Sequence, residues 1–340
     1  MASLERMEST HTAASPEAAS VPEIKRPRAV PSVVFVGGTG RSGTHIVAQL
    51  LGRSHNLAMI PVEVRFHTDP DGFPGLLAGE VSLDRFVKRL RGFWWRGFQT
   101  RRFRGLFRFV DRERFDAAVE EFERSFADDP EGACRKLFFD LLWFRTSEEE
   151  TKRGIVEQSC DTVAQAPTLL RLFGDARFVH VVRDGRDASA SRVSQTWGLV
   201  RPRTRAEGIR WWEERIAQVE AGGAAIPPGR LLTVSLDELL LTPGGDALPP
   251  LMRFCGTGAG SRARFFYKTR MNPEEAHSER WRYGLSDRRA QRLEALYEKA
   301  LDRLEGRGAR SVPLLRRTLE RTRGGADLPA QPYIYDAASA

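Results

Sequence analysis

The chain has 340 residues, 41 % of them hydrophobic, enough to bury one large α/β core or two modest ones. Its net charge of +8 and pI near 9.8 favour anionic ligands, yet no nucleic-acid motif accompanies the charge, and nucleic acid is set aside as a partner. No run reaches transmembrane length, and Cys134, Cys160 and Cys255 show neither metal spacing nor an even framework, so they read as buried thiols in a reducing compartment.

Residues 1–28 are rich in Ala, Ser, Glu and Pro and lack an apolar stretch after a basic start, which reads as a disordered tail rather than a signal peptide. The β-branched run Val33 to Val36 then enters a glycine-rich turn, Gly37 to Gly43, and a helix expected over Thr44 to Leu51. Glycines let the backbone turn sharply and present successive N–H groups to an anion at the helix N-terminus, so this is a phosphate cradle. Three ligands compete for it. Gly38, Gly40 and Gly43 with Glu63 formally match the dinucleotide fingerprint, which keeps an NAD(P)-binding oxidoreductase open. The same glycines give half of a nucleotide-triphosphatase loop, but Thr44 and His45 stand where Lys and Ser or Thr are required. Taken as a unit, Arg41, Ser42, Gly43 and Thr44 offer one cation and two hydroxyls to phosphate or sulfate oxygens, with no metal needed.

From Arg85 to Arg108 nine basic residues and no acidic one are threaded by Phe86, Phe93, Trp94, Trp95, Phe98, Phe103 and Phe107. A pair of amphipathic helices, an acceptor-binding lid and a membrane-surface helix all fit that pattern. Phe115, Val119, Phe122 and Phe126 recur at helical spacing within Asp111 to Asp129, as scaffold does. Ala176 to Val182 reads as a buried strand running into Arg183-Asp184-Gly185-Arg186-Asp187 and the start of a helix. A Trp-rich helix around Trp211 precedes a strand from Leu231 to Ser235. Ligands of open α/β sheets lie beyond the carboxyl ends of the strands, so two strand-end anion loops imply a ligand with two separated phosphate groups.

This pair of motifs resembles the sulfotransferases that use 3′-phosphoadenosine-5′-phosphosulfate (PAPS). The resemblance rests on Arg41-Ser42-Gly43-Thr44, on Arg183 with Ser191 eight residues later, on His55 after the first helix and on Glu63-Val64-Arg65, the first region being similar to protein-tyrosine sulfotransferases and bacterial relatives. It spans about Val33 to Arg65 and Gly154 to Trp197, and more loosely Trp211 to Leu251. It implies a P-loop-like, three-layer α/β fold with a mainly parallel central sheet flanked by helices. It also implies one sulfotransferase domain over 29–322, with a helical Arg- and aromatic-rich insertion at about 80–150 and a C-terminal tail over 323–340.

The same resemblance assigns cofactor contacts to Gly40, Arg41, Ser42, Gly43, Thr44, His45, Arg183, Ser191 and Arg280, and catalytic roles to Glu63 as general base and Arg41 as a stabiliser of the leaving phosphate. PAPS is the sulfuryl donor, no metal is called for, and the acceptor is a hydroxyl on a small molecule, a carbohydrate or a peptide tyrosine. With no membrane anchor in sight, a cytoplasmic enzyme of bacterial type is expected. One departure stands out: relatives place a lysine where Gln158 stands here, which keeps a catalytically inactive, donor-binding protein open. His67 is a rival base by its intrinsic pKa, His180 reads as a satisfied core histidine, and Arg186 with Asp187 as a structural ion pair. The oxidoreductase alternative lacks a Tyr-x-x-x-Lys pair, since Tyr267, Tyr283 and Tyr297 have no Lys at the fourth position.

Overall fold

A computed structural model describes residues 31–97, 105–143, 151–195, 201–242, 244–272, 279–324 and 331–335, all in one compact unit that begins at Pro31. Six strands form its sheet: β1 (Ser32–Gly38), β2 (Leu57–Met59), β3 (Gly154–Glu157), β4 (Arg177–Val182), β5 (Leu231–Ser235) and β6 (Tyr333–Tyr335). Their spatial order is β2-β3-β1-β4-β5-β6; the first five run parallel and β6 pairs antiparallel with β5.

Side-chain alternation on β1 explains the layering. Val33 and Phe35 point into one apolar core and Val34 and Val36 into another, so the strand is covered on both faces and reads as a continuous apolar run. The first core is completed by residues of α2 (Phe73–Leu77), α3 (Leu83–Arg89), α4 (Arg112–Ser125), α5 (Pro130–Leu142) and α6 (Ala166–Leu172). The second is completed by α1 (Thr44–Leu51), α9 (Leu236–Leu241), α10 (Gly244–Phe254) and α11 (Ser261–Arg270). A third core, around Trp212, Trp281 and Tyr297, joins α7 (Gly185–Val193) and α8 (Arg205–Gly223) to the helices Asp287–Gly306 and Val312–Thr322. This is the three-layer, P-loop-like α/β arrangement.

The strand order removes the dinucleotide reading. In the dinucleotide-binding fold the second strand lies next to the first, whereas here β3 and β4 flank β1 and β2 stands at the sheet edge. The expected C-terminal tail also needs correction. Tyr333 to Tyr335 extend the sheet, held by Ser235 N–H donating to the Pro332 carbonyl and by the Tyr333 hydroxyl on the Ala247 carbonyl.

In the Arg- and aromatic-rich stretch, α3 runs into a π-helical turn, Leu90–Trp94, and Phe86 and Trp94 are buried in the first core. Arg91 pairs with Asp116 and Glu123 of α4, which neutralises part of the charge run. Phe98, Arg101, Arg102, Phe103 and Arg104 lie outside the described residues. Among the described residues no helix is long and apolar enough to cross a membrane.

Candidate active site

The carboxyl ends of β1 and β4 create the site. A Cβ on Gly38 would stand 2.5 Å from the Val181 carbonyl oxygen, so glycine is what allows the end of β1 to lie against β4. Beyond it Gly40 (φ 79°), Arg41 (φ 63°) and Gly43 (φ 91°) all sit in the left-handed region, and the chain doubles back into α1. Arg41 is the unusual member, since a residue with a Cβ is seldom found there and such strain gathers at ligand clamps. Inside the turn Ser42 is buried, and its Oγ has no hydrogen-bond partner among the described residues. A buried hydroxyl without a partner, ringed by turning backbone, is the kind of group an anion's oxygens satisfy.

The second motif closes on the first. Asp184 caps α7, its side chain accepting from Arg186 N–H, so Arg183 lies in the bend between β4 and the helix. Arg183 is 7 % exposed and donates from Nη1 to the Arg41 carbonyl at 3.3 Å. Arg41 in turn donates from Nε to Ser191 Oγ at 3.0 Å. Arg41 thus joins Arg183 and Ser191, 142 and 150 positions away in the chain, in one connected patch.

Buried carboxylates brace that patch. Asp237 Oδ2 accepts the Asp184 N–H at 2.7 Å, and Asp187 accepts the N–H groups of Glu279 at 2.7 Å and Trp281 at 3.0 Å. Burial, reinforced by the neighbouring Asp184, raises Asp187 to about 6; burial, opposed by Arg183, raises Asp237 to about 7. The Asp187 bonds fasten the turn Arg280–Arg282 to α7, with Arg280 itself exposed and Trp281 buried. The ion pair expected between Arg186 and Asp187 is not formed. Arg186 is fully buried, pairs with Asp184 and Glu294, and stacks 4.4 Å from the Trp281 ring.

Glu63 is exposed on the segment after β2, between the buried Val62 and Val64, and its Oε1 accepts from the Cys160 thiol at 3.8 Å. His67, the rival base, is sealed in the core: its Nε2 is 2.9 Å from Glu157 Oε2, and Phe35, Phe66 and Phe138 pack around the ring. The pair has a structural use, because Glu157 also accepts from Ser159 N–H and Oγ, and Ser159 Oγ accepts from Arg65 N–H. That network anchors the end of β3 to the segment bearing Glu63.

Gly40, Arg41, Ser42, Gly43, Thr44, Arg183 and Ser191 are therefore gathered at two adjacent strand ends, with Glu63 reaching Thr44 through Cys160. His45 points along α1 instead, its Nε2 3.1 Å from Gln49 Nε2. His180 is buried on β4, but its Nε2 lacks a partner among the described residues, and burial lowers its pKa. Gln158 stands just past β3, 1 % exposed, with Oε1 unpartnered among the described residues. Asp237 went unrecognised in the sequence, Asp187 was read only as the partner of Arg186, and Cys160 only as a buried thiol. Asp187 had a signal in its place one helical turn after Arg183, whereas Cys160 had none.

A profile of the sulfotransferase family matches residues 31–258, most of the chain, including the glycine loop and the β4–α7 bend but not the turn Arg280–Arg282. No curated protein matches the chain significantly. Among solved structures, the sulfotransferase domain from the curacin biosynthetic pathway is 15 % identical with a TM-score of 0.46, covering 73 % of this chain and 82 % of that one. The sulfotransferase domain of the Synechococcus PCC 7002 olefin synthase is 16 % identical with a TM-score of 0.45, covering 77 % and 91 %. Sulfotransferase STF1 from Mycobacterium tuberculosis H37Rv is 15 % identical with a TM-score of 0.44, covering 79 % and 77 %. Likenesses this distant carry no argument about substrate. The family match does carry one about membership, and it falls on the glycine loop, Arg183 and Ser191 alike: the chain belongs to the sulfotransferase family.

Proposed function

We propose that this protein transfers the sulfuryl group of PAPS to an acceptor hydroxyl, with Glu63 as the general base. One observation carries the reading: the Arg41–Ser191 bond and the Arg183 bond to the Arg41 carbonyl merge two anion-binding motifs into a single patch at the ends of β1 and β4. The residues fit the donor. Ser42, with its unpartnered buried hydroxyl, and the backbone N–H groups from Gly40 to Thr44 suit the 5′-phosphosulfate, and Arg183 with Ser191 suits the 3′-phosphate. Arg280, on the turn fastened by Asp187, supplies a further cation.

The donor brings an activated sulfuryl group whose leaving phosphate gathers negative charge. This chain's part is to neutralise that charge with Arg41 and the loop N–H groups and to take a proton from the acceptor hydroxyl at the Glu63 carboxylate. The acceptor is a small molecule, a sugar or a peptide tyrosine. The free thiols of Cys134, Cys160 and Cys255 support a reducing compartment, the cytoplasm, and the resemblance supports a bacterial origin.

Calorimetric titration with adenosine 3′,5′-bisphosphate tests the reading. Binding weakened about ten- to a hundredfold in Arg183→Ala, the usual worth of a charge-assisted contact, is the expected result. Binding of NADPH with none of the bisphosphate refutes it. Gln158 favours a second reading, a donor-binding protein without transfer, because a neutral amide occupies the place of the cation. Undiminished bisphosphate binding with no sulfuryl transfer to any hydroxyl would decide for it.

A further inference from the structure

Between the phosphate loop and Glu63 lies a thiol. A Cβ on Gly37 would stand 2.8 Å from Val163 N, so glycine lets the short turn Cys160–Thr162 pack flush against β1 and brings Cys160 under the loop. Its Sγ is 3.8 Å from Glu63 Oε1 and 3.9 Å from Thr44 Oγ1, and a Cβ on Gly40 would lie 3.8 Å from it. A thiol has one proton to give. With Glu63 Oε1 as its acceptor, the second contact is the Thr44 hydroxyl donating to sulfur.

The charges around Cys160 keep that proton in place. Glu63 faces it from the segment after β2, Asp161 adjoins it with Arg215 of α8 as partner, and Arg41 faces it from the loop. Burial, then the carboxylates of Glu63 and Asp161, push the thiol above its ordinary value, with Thr44 and Arg215 opposing. Cys160 is therefore a neutral donor at pH 7. Sulfur also suits the gap, since a hydroxyl oxygen needs its partners within about 3 Å.

We propose that Cys160 is a positioning residue for the base: its thiol holds the Glu63 carboxylate while accepting from Thr44, tying the base to the phosphate loop. The inference deepens the proposed transfer and rests on Glu63 being its base. Donor loading and base orientation then meet at one sulfur atom, because an anion that recruits the Thr44 hydroxyl changes what Cys160 accepts.

The test is alkylation of Cys160 by iodoacetamide in the full-length protein, quantified by mass spectrometry at fixed pH values from about 7 to about 10, where a small thiolate fraction reacts. Removing the neighbouring carboxylate in Glu63→Gln should speed alkylation about tenfold at each pH. Gln keeps the size of Glu and so its shielding of the thiol, and Glu120→Gln on α4 should leave the rate unchanged. An unchanged rate in Glu63→Gln overturns the proposal. Bisphosphate calorimetry on the wild type separates the two layers. Failure to bind with the acceleration intact refutes the transfer reading alone, and binding with no acceleration refutes the Cys160–Glu63 tie alone.

Discussion

Asp237 offers a test of the patch's electrostatics that needs no acceptor. Its carboxyl is buried in the first turn of α9, holds the Asp184 N–H at 2.7 Å, and shares its surroundings with Asp184, Asp187 and Arg183. In the folded chain it titrates at about 7 against an ordinary 3.8, so the native state keeps a proton that the unfolded chain releases. Stability from this group is full below about pH 4 and is lost as pH rises through 7. About three units at ~1.4 kcal/mol each set an upper bound near 4 kcal/mol, and sharing of charge with Asp184 and Asp187 brings the expectation to about 2–4 kcal/mol. Asp237→Asn keeps an acceptor oxygen for the Asp184 N–H and cannot ionise. Urea denaturation should show it more stable than wild type by that amount at pH 8, with the difference falling to about 1.5 kcal/mol at pH 5 and about 0.5 kcal/mol at pH 4. A difference that is flat with pH, or a variant less stable at pH 8, refutes the reasoning. Binding gives a second readout, because a phosphate on Arg183 draws that cation's field away from Asp237. Wild type should take up a proton when the bisphosphate binds near pH 7, and Asp237→Asn should take up less, measured by calorimetry in buffers of different ionisation enthalpy.

Three further outcomes follow from named contacts. Glu63→Gln should lower turnover about a hundred- to ten-thousandfold, the usual reach of a general base, and leave bisphosphate affinity within about twofold; equal turnover would remove Glu63 from the mechanism. Gly43→Ala combines φ 91° with a Cβ 2.6 Å from Leu236 Cδ2, so thermal unfolding should register a loss of at least about 1–3 kcal/mol and calorimetry a weaker bisphosphate complex. Arg186→Met strands the buried Asp184 carboxylate and empties the stack on Trp281; a loss of about 3–5 kcal/mol in urea is expected, and a loss below 1 kcal/mol would refute a structural role for the pair.

The parts of this molecule that were legible in the sequence are those set by local chemistry. The helix Thr44–Leu51 and the strand Leu231–Ser235 have the limits expected of them, because a glycine turn and a β-branched run fix such limits within a few residues. The anion loops were legible for a related reason: few residues other than glycine turn a chain that tightly, and arginine at a strand end announces its ligand. Strand order was not legible, since β2 and β3 are joined through nearly a hundred residues of helical insertion and only packing decides which of them lies beside β1. Strand β6 was missed because three residues carry too short an alternation to stand out from a polar terminus.

The same distinction explains the errors inside the site. His67 has the right pKa for a base and lies four residues from Glu63, so composition and spacing alone keep it a rival. What excludes it is the aromatic shell of Phe35, Phe66 and Phe138, drawn from three separate elements. Arg186 and Asp187 look paired because they are adjacent, yet adjacent helical residues point about 100° apart; Asp187 turns to the backbone of the Glu279–Trp281 turn and Arg186 to Asp184 and Glu294. Gln158 is the instructive remainder. A buried amide oxygen at the end of β3, without a partner among the described residues, is a costly group to keep unless a bound ligand satisfies it. On that argument Gln158→Leu, which removes the unpaired oxygen at similar volume, should leave the unliganded protein as stable or more stable, while a role for the amide in the bound state would appear as weakened bisphosphate binding. A variant that loses stability without ligand would mean that the amide already has its partner in a bound water.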